Sequence, residues 1–473
     1  MEQNRGDKGN LNSRPFYLDR FEVRNNTDGR DGRVRATGQK QPAAPQRERK
    51  QPQKKEEIRI RKAPLRGWLN FGTPDVMLMI IVLALLLIGL VMMFSASYTY
   101  AYYDYKTGHD ALYYIKRQGA FAAAGVAAMI IISFINYKKL NSGLSVIAYA
   151  GSAFLLMLTL VINIKKDSDF KRWLSLGPIR FQPSEIAKFA LILMIAYITA
   201  RQYGVIRSKS RMHDGFLADI DKRYMSKIRS TFYKDASTKS LALTMLYTFV
   251  IAFFCGLIIL ENHLSCTILV FLLGVSMMWL AGVKKGYFVL LALIVGLAVA
   301  LVITHPEILP GYAGERIIAW KDKTYQPLGA RWQTNQSLRA IASGGPFGLG
   351  LGNSRQKHMY VSEPQNDFIF AIICEELGYV GAGAIIVLFG ALVWRSFRIA
   401  EKSDDVFGSM LTMGIALQVG LQVFLNIAVV TDTFPNTGIS LPFFSYGGTS
   451  LLMLLSEMGL ILSVSKQNSF KNN

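Results

Sequence analysis

The feature that most limits what this chain can fold into is a repeated one. Apolar runs of about 20 residues recur along its length. At about 1.5 Å rise per residue, a helical run of that length crosses a hydrocarbon layer of roughly 30 Å. A helix in a soluble core needs only one apolar stripe, whereas these runs are apolar on every side. Apolar residues make up 51% of the 473, which would suit two soluble domains or one membrane domain, and the length of the runs decides for the membrane. The sequence predicts an all-α polytopic membrane protein of about ten transmembrane helices. They fall at about 75–97, 118–136, 143–164, 183–201, 241–260, 264–282, 286–304, 366–396, 407–430 and 441–465. A large loop over 305–365 joins helices 7 and 8. The first run begins near Asp75, behind a long polar stretch, which does not fit a cleaved signal peptide.

A net charge of +21 would point to nucleic acid in a soluble protein. Here much of it belongs to residues 1–66, which hold 18 Lys/Arg against 9 Asp/Glu, and to membrane topology, so no nucleic-acid partner is expected. That stretch is rich in Gln, Pro, Asn and Gly and cannot bury enough surface to fold alone. It reads as a disordered cytoplasmic tail drawn to anionic lipid, or as a docking segment for a partner. The transmembrane domain then covers 67–466, and residues 467–473 form a second cytoplasmic tail. Cytoplasmic loops should be rich in Lys and Arg. Lys138 and Lys139, Lys284 and Lys285, Arg395 to Lys402, and the ten basic residues of the loop 201–240 fit that side. Cys255, Cys266 and Cys374 lie in or beside apolar runs and offer neither a disulfide framework nor zinc spacing.

Two predicted outer loops are basic as well. Residues 165–182 hold Lys165, Lys166, Lys171, Arg172 and Arg180; residues 305–365 hold Arg316, Lys321, Lys323, Arg331, Arg339, Arg355 and Lys357. Long loops translocate largely regardless of charge, so the shorter one carries more weight. Together they suggest an anion held at the outer face, and Arg forks suit phosphate oxygens. The competing reading is solvated loop charge.

Four stretches carry candidate chemistry. The first runs from Arg172-Trp173 through Arg180, Gln182-Pro183-Ser184-Glu185 to Lys188. Pro183 suits the first turn of a helix and Glu185 the positive end of its dipole. Glu185 and Lys188 are three apart, so they form either a helix-end ion pair or part of a site. Trp173 is either an interfacial anchor or a site residue. The second stretch, Arg316 through Gln333 to Gly344–Gly352, ends in glycines that follow no strand, so a dinucleotide fingerprint is excluded. They read as a tight re-entrant turn that brings backbone close to the site. The third contains Glu363, Asn366, Asp367, Glu375 and Glu376. Asn366 or Asp367 suits a helix N-cap, and charge two to three turns into an apolar helix marks Glu375 and Glu376 as functional or tightly paired. The last, Leu441-Pro442 through Ser445 to Gly447-Gly448, implies a broken helix start and close packing.

The blocks Arg172–Lys188, Asn353–Gly378 and Leu441–Ser450 resemble the SEDS family of division, elongation and sporulation membrane proteins, which includes FtsW, RodA and SpoVE. The likeness spans about residues 70–465 and leans to the FtsW/SpoVE branch, through Asn353-Ser354-Arg355-Gln356-Lys357 and through Glu261-Asn262-His263-Leu264-Ser265, where that branch usually has Pro at Asn262. The resemblance implies a multi-pass protein of the bacterial cytoplasmic membrane, both termini cytoplasmic, that polymerises lipid II into peptidoglycan at the outer face. Its implied partners are lipid II, a class B penicillin-binding protein, other division proteins and the membrane. Arg172, Trp173, Arg180, Gln182, Glu185, Lys188, Arg316 and Gln333 are then candidates to bind substrate, with Asp367, Glu375, Glu376 and Ser445 in support. Cationic side chains would stabilise the leaving diphosphate, and a divalent cation, Mg or Mn, is compatible with that chemistry.

The family's proposed base is an Asp in the large outer loop, just before Pro. Here Gln326 precedes Pro327, and an amide cannot act as a base near neutral pH. The nearest carboxylate is Asp322, the candidate catalytic residue if the loop is shifted. Two other function classes compete: a lipid II transporter using the same groove, and a catalytically weak scaffold of the division machinery, which Gln326 favours.

Overall fold

The computed structural model describes residues 72–164, 172–176, 179–207, 236–309 and 312–469. These all belong to one compact unit, Ala63–Asn473. The expected basic tail over 1–66, most of the loop 201–240 and residues 470–473 lie outside the described residues.

The membrane-spanning prediction holds. Nine described helices are long and apolar enough to cross a bilayer: α1 (Val76–Tyr103), α2 (Tyr113–Phe134), α3 (Gly143–Ile164), α4 (Pro183–Arg207), α5 (Ala236–Leu260), α7 (Lys285–Thr304), α10 (Ile369–Glu401), α11 (Val406–Val430) and α12 (Gly448–Ser469). A tenth, α6 (Leu264–Leu280), is apolar but shorter, at 17 residues. The loop 305–365 is not structureless: it contains α8 (Tyr312–Lys321) and α9 (Trp332–Gly344). An antiparallel hairpin, β1 (Leu174–Leu176) and β2 (Ile179–Phe181), precedes α4.

Polar residues set the helix ends. Asp75 accepts from the Leu78 amide at 2.9 Å to open α1, and Asp405 accepts from Gly408 at 2.8 Å to open α11. Arg395 clamps the Asp75 carboxylate from α10 at 2.7 Å. The last helix starts at Gly448, not at 441, because Leu441–Gly447 forms the non-helical turn that its Pro and glycines predict. Close packing follows: α12 lies along α2, and a Cβ at Gly459 would stand 2.6 Å from the Met129 carbonyl oxygen. By contrast α7 buries no residue within this chain.

The glycine-rich turn approaches backbone closely, but the backbone of α10 rather than the cavity described below. Gly378 has φ 68°, which breaks α10. The amides of Leu349 and Gly350 donate to the carbonyls of Glu375 and Glu376 at 2.9 and 3.0 Å, and those of Tyr379 and Val380 donate to Gly345 and Pro346 at 2.9 and 3.0 Å. The inserted turn thus takes up the four backbone groups that the break exposes, as a membrane interior requires. Glu375 and Glu376 secure it. Glu375 accepts from the Arg355 amide at 3.1 Å and from Ser343 at 3.2 Å. Glu376 pairs with buried Lys357 at 2.9 Å and accepts from Ser95 at 2.7 Å. Of their two predicted readings, tight pairing is the one observed.

Candidate functional site

A cavity of about 520 Å³ opens among the hairpin, the α5–α6 corner, the segment before α10 and the turn before α12. It reaches inward to Gln418 on α11 and Glu457 on α12. Of the twelve candidate substrate-binding and supporting residues, eight line it: Arg172, Trp173, Gln182, Glu185, Lys188, Arg316, Asp367 and Ser445.

The hairpin pairs Ser175 with Arg180, and its base delivers Arg172, Trp173 and Gln182 to the cavity mouth. Arg172 donates to the Asn262 carbonyl at the α5–α6 corner. Asn262 sits at φ 56°, a conformation proline cannot adopt, so the residue usual in the related branch would not fit this corner as it stands. Gln182 and Ser184 each lie 3.3 Å from the His263 ring nitrogen, tying the hairpin to the same corner. Burial, with Arg172 and Lys188 nearby, pushes the His263 imidazole down to about 3, so it is neutral. Trp173 stays 41% exposed at the rim.

One turn into α4, Pro183 and Glu185 occupy the places their chemistry predicts. Lys188, 2% exposed, pairs with Glu185 at 2.8 Å and donates to Gln422 at 3.3 Å. Glu185 also accepts from Ser450 at 2.8 Å. The two form the i,i+3 ion pair, and both line the cavity. Arg316, from α8, donates to the Asn436 carbonyl at 2.8 Å. Gln333 stands behind that wall, accepting from Asn436 at 3.3 Å and donating to Ser362 at 3.3 Å, and does not line the cavity. Ser445 donates to the Asn366 carbonyl at 2.8 Å and accepts from the Leu441 amide at 2.7 Å, shaping the turn. The Arg180 side chain lies outside the described residues.

Neither Asn366 nor Asp367 caps α10; the cap position is Phe368, with no side-chain bond. Asn366 instead donates to Glu363 at 2.6 Å, and the Asp367 carboxyl lies in the cavity against Gly438, where a Cβ would come within 2.8 Å of it. Burial pushes the Asp367 carboxyl up to about 6; Arg316 and Arg172 oppose that shift and Glu363 adds to it.

Asp322 and Gln326 are elsewhere. Both are exposed and absent from the cavity lining. Asp322 accepts from the Thr324 amide at 2.9 Å and hydroxyl at 2.7 Å, closing a turn after α8, and those bonds hold its pKa below the usual carboxylate value. In this arrangement a local turn takes up the Asp322 carboxylate, and it does not line the cavity.

The expectation of a basic site also needs correction. Among the described residues the lining holds three cationic side chains, Arg172, Lys188 and Arg316, against four carboxylates, Glu185, Glu363, Asp367 and Glu457. Other loop cations hold the fold: Arg331 and Lys323 clamp Asp432 at 2.6 and 2.7 Å. Sequence reasoning missed His263, Gln418, Gln422 and Glu457. Glu457, 1% exposed and bonded by Gln418 at 2.9 Å, obeys the same rule that singles out Glu375 and Glu376: charge within an apolar helix. No group of three or more His, Cys, Asp or Glu close enough to hold a metal occurs among the described residues.

Residues 76–470 match the cell cycle protein family of FtsW, RodA and SpoVE. The chain belongs to that family. It is 36% identical over 404 residues to stage V sporulation protein E of Bacillus subtilis, covering 84% of this chain and 98% of that one. It is 32% identical over 392 residues to the probable peptidoglycan glycosyltransferase FtsW of a Geobacter species, covering 83% and 96%. Two solved structures share the fold at 24% identity, each matched over 84% of this chain and 98% of its own. One comes from a peptidoglycan synthase complex that coordinates polymerization and crosslinking, at TM-score 0.62. The other is the rod shape determining protein RodA of Thermus thermophilus, at TM-score 0.54.

Proposed function

We propose that this FtsW/RodA/SpoVE family member is a peptidoglycan glycosyltransferase that polymerises lipid II at the outer face of the bacterial cytoplasmic membrane. The observation that carries the reading is the cavity: two arginines at its wall, a lysine–glutamate pair beneath them, and a carboxyl whose proton affinity lies near neutrality. The names of the FtsW relatives support the activity. Placing both termini in the cytoplasm puts the cavity mouth outside and follows the Lys/Arg bias of the opposite loops.

The chemistry assigns roles. The acceptor sugar hydroxyl attacks the anomeric carbon of the donor, a new C–O bond forms, and the bond to the diphosphate breaks with its electron pair leaving on the phosphate oxygen. Arg172 and Arg316, each anchored to a main-chain carbonyl, supply N–H donors and positive charge to the diphosphate. Lys188, neutralised in part by Glu185, adds a donor deeper in the groove. Asp367 takes the hydroxyl proton, a role for which a pKa near 6 is well matched. No step here runs through a metal ion. A class B penicillin-binding protein, which would cross-link the product, and other division proteins are the proposed partners.

The test is to give the purified full-length protein lipid II, with and without its penicillin-binding partner, and to resolve the products by gel. Glycan polymer supports the reading. Intact lipid II under both conditions contradicts it and favours a scaffold.

A further inference from the structure

We propose that a ledge of tyrosines beside the cavity mouth is a saccharide subsite, holding sugars adjacent to the reacting one. The ligand class is a β-linked amino-sugar strand. The inference rests on the polymerase reading for its biological meaning, and it extends the same cavity through rings that have no part in the reaction step.

The ledge starts inside the cavity with Tyr446. The Tyr114 ring meets it edge-on, with centroids 4.8 Å apart and planes at 84°. Tyr113 continues from Tyr114 at 5.2 Å and Tyr100 at 6.2 Å. The Arg117 guanidinium stands 4.3 Å over the Tyr113 ring. Glu363 lines the same cavity as Tyr446.

The arrangement is fixed rather than floppy. Buried Gln118 donates to the Ser445 carbonyl at 3.2 Å and accepts from the Gly447 amide at 3.2 Å, locking the start of α2 to the turn that carries Tyr446. The Tyr446 amide donates to Gln365 at 2.8 Å.

Tyrosines at a membrane boundary commonly serve as plain interfacial anchors. Tyr102, Tyr103 and Tyr105, at 53%, 63% and 87% exposure, fit that role. Tyr100, Tyr113, Tyr114 and Tyr446 do not: they are half-buried, packed ring against ring, and continuous with the cavity. Ring faces carry negative charge density that attracts the C–H face of a pyranose, and the phenols, Arg117 and Glu363 supply hydrogen bonds for hydroxyl and acetamido groups. Apolar faces bordered by polar groups suit a sugar better than a lipid tail.

The experiment uses the full chain in nanodiscs and chitotetraose, a β-1,4-linked N-acetylglucosamine oligomer without lipid or diphosphate, read by saturation-transfer NMR. The wild type is expected to transfer saturation to the ring-face protons of the sugars. Tyr114→Leu and Tyr446→Leu should each weaken binding by about threefold to tenfold. Tyr114→Phe should retain it, and Tyr105→Leu should bind as the wild type does. A thermal melt of each variant separates lost binding from lost folding, and Tyr114→Phe keeps the test open if Tyr114→Leu unfolds. Absence of transfer in the wild type, or equal binding by Tyr114→Leu, overturns the ledge. Polymer formation without chitotetraose binding counts against the ledge alone, whereas binding without polymer supports the ledge and counts against the polymerase reading.

Discussion

At the scale of single residues, Asp367 is governed by opposing influences. Burial favours its neutral form, Glu363 adds to that, and Arg316 and Arg172 favour the carboxylate. The balance near 6 makes a pH prediction. The active form is the deprotonated one, so polymerisation should fall as pH drops through about 6 and level off above it. A profile of initial rate between pH 5 and 8, with lipid II binding measured in parallel, checks this. Glu261 makes a stability prediction. It is fully buried, neither carboxylate oxygen has a hydrogen-bond partner among the described residues, and burial pushes it up to about 8, against some opposition from Arg172. A carboxyl raised in this way favours the folded state most below its ordinary 4.5 and loses that contribution as pH rises through 8. Glu261→Gln should therefore raise the melting temperature at pH 8.5 by about 2–4 °C and change little at pH 5.

At the scale of elements, the break in α10 is the most exacting local structure. Gly348 and Gly378 have φ 78° and 68°, and a Cβ at either would come within 2.1–2.3 Å of the other segment's backbone. Gly378→Ala should destabilise the protein by at least about 2 kcal/mol, visible as a lower melting temperature in detergent. An equally stable variant would show that the inserted turn can part from the helix without loss. The elements themselves were largely legible in sequence, because a run of apolar residues is a local signal. Pro183 marked a true helix start, whereas the last helix begins seven residues after the expected 441, at Gly448. The loop 305–365 was harder: α8 and α9 are short and polar, with neither the length nor the apolarity of a span. Asp322 illustrates the limit. Spacing along the chain placed it near the family's catalytic position, but its fate depends on Thr324 two residues on, which spacing does not reveal.

At the scale of the whole molecule, the cavity is assembled from segments far apart in the chain: Arg172 with Asn262, Arg316 with Asn436, Asp367 beside Gly438. No periodicity encodes those meetings. The sequence therefore indicated which residues mattered more readily than which faced one another, and it overstated how basic their common site would be. The same long-range construction explains why the carboxylate now favoured as base lies before α10 rather than after α8. It also bears on the scaffold alternative, since exposed Gln326 removes a carboxylate from a position that does not line this cavity.

The most direct measurement of the central claim is the single-turnover rate of lipid II polymerisation by the purified protein with its penicillin-binding partner, for the wild type, Asp367→Asn and Asp322→Ala. The account predicts that Asp367→Asn lowers the rate by about 10²-fold or more while lipid II binding is largely kept, and that Asp322→Ala stays within about twofold of the wild type. A wild-type rate in Asp367→Asn, or a loss confined to Asp322→Ala, would contradict it.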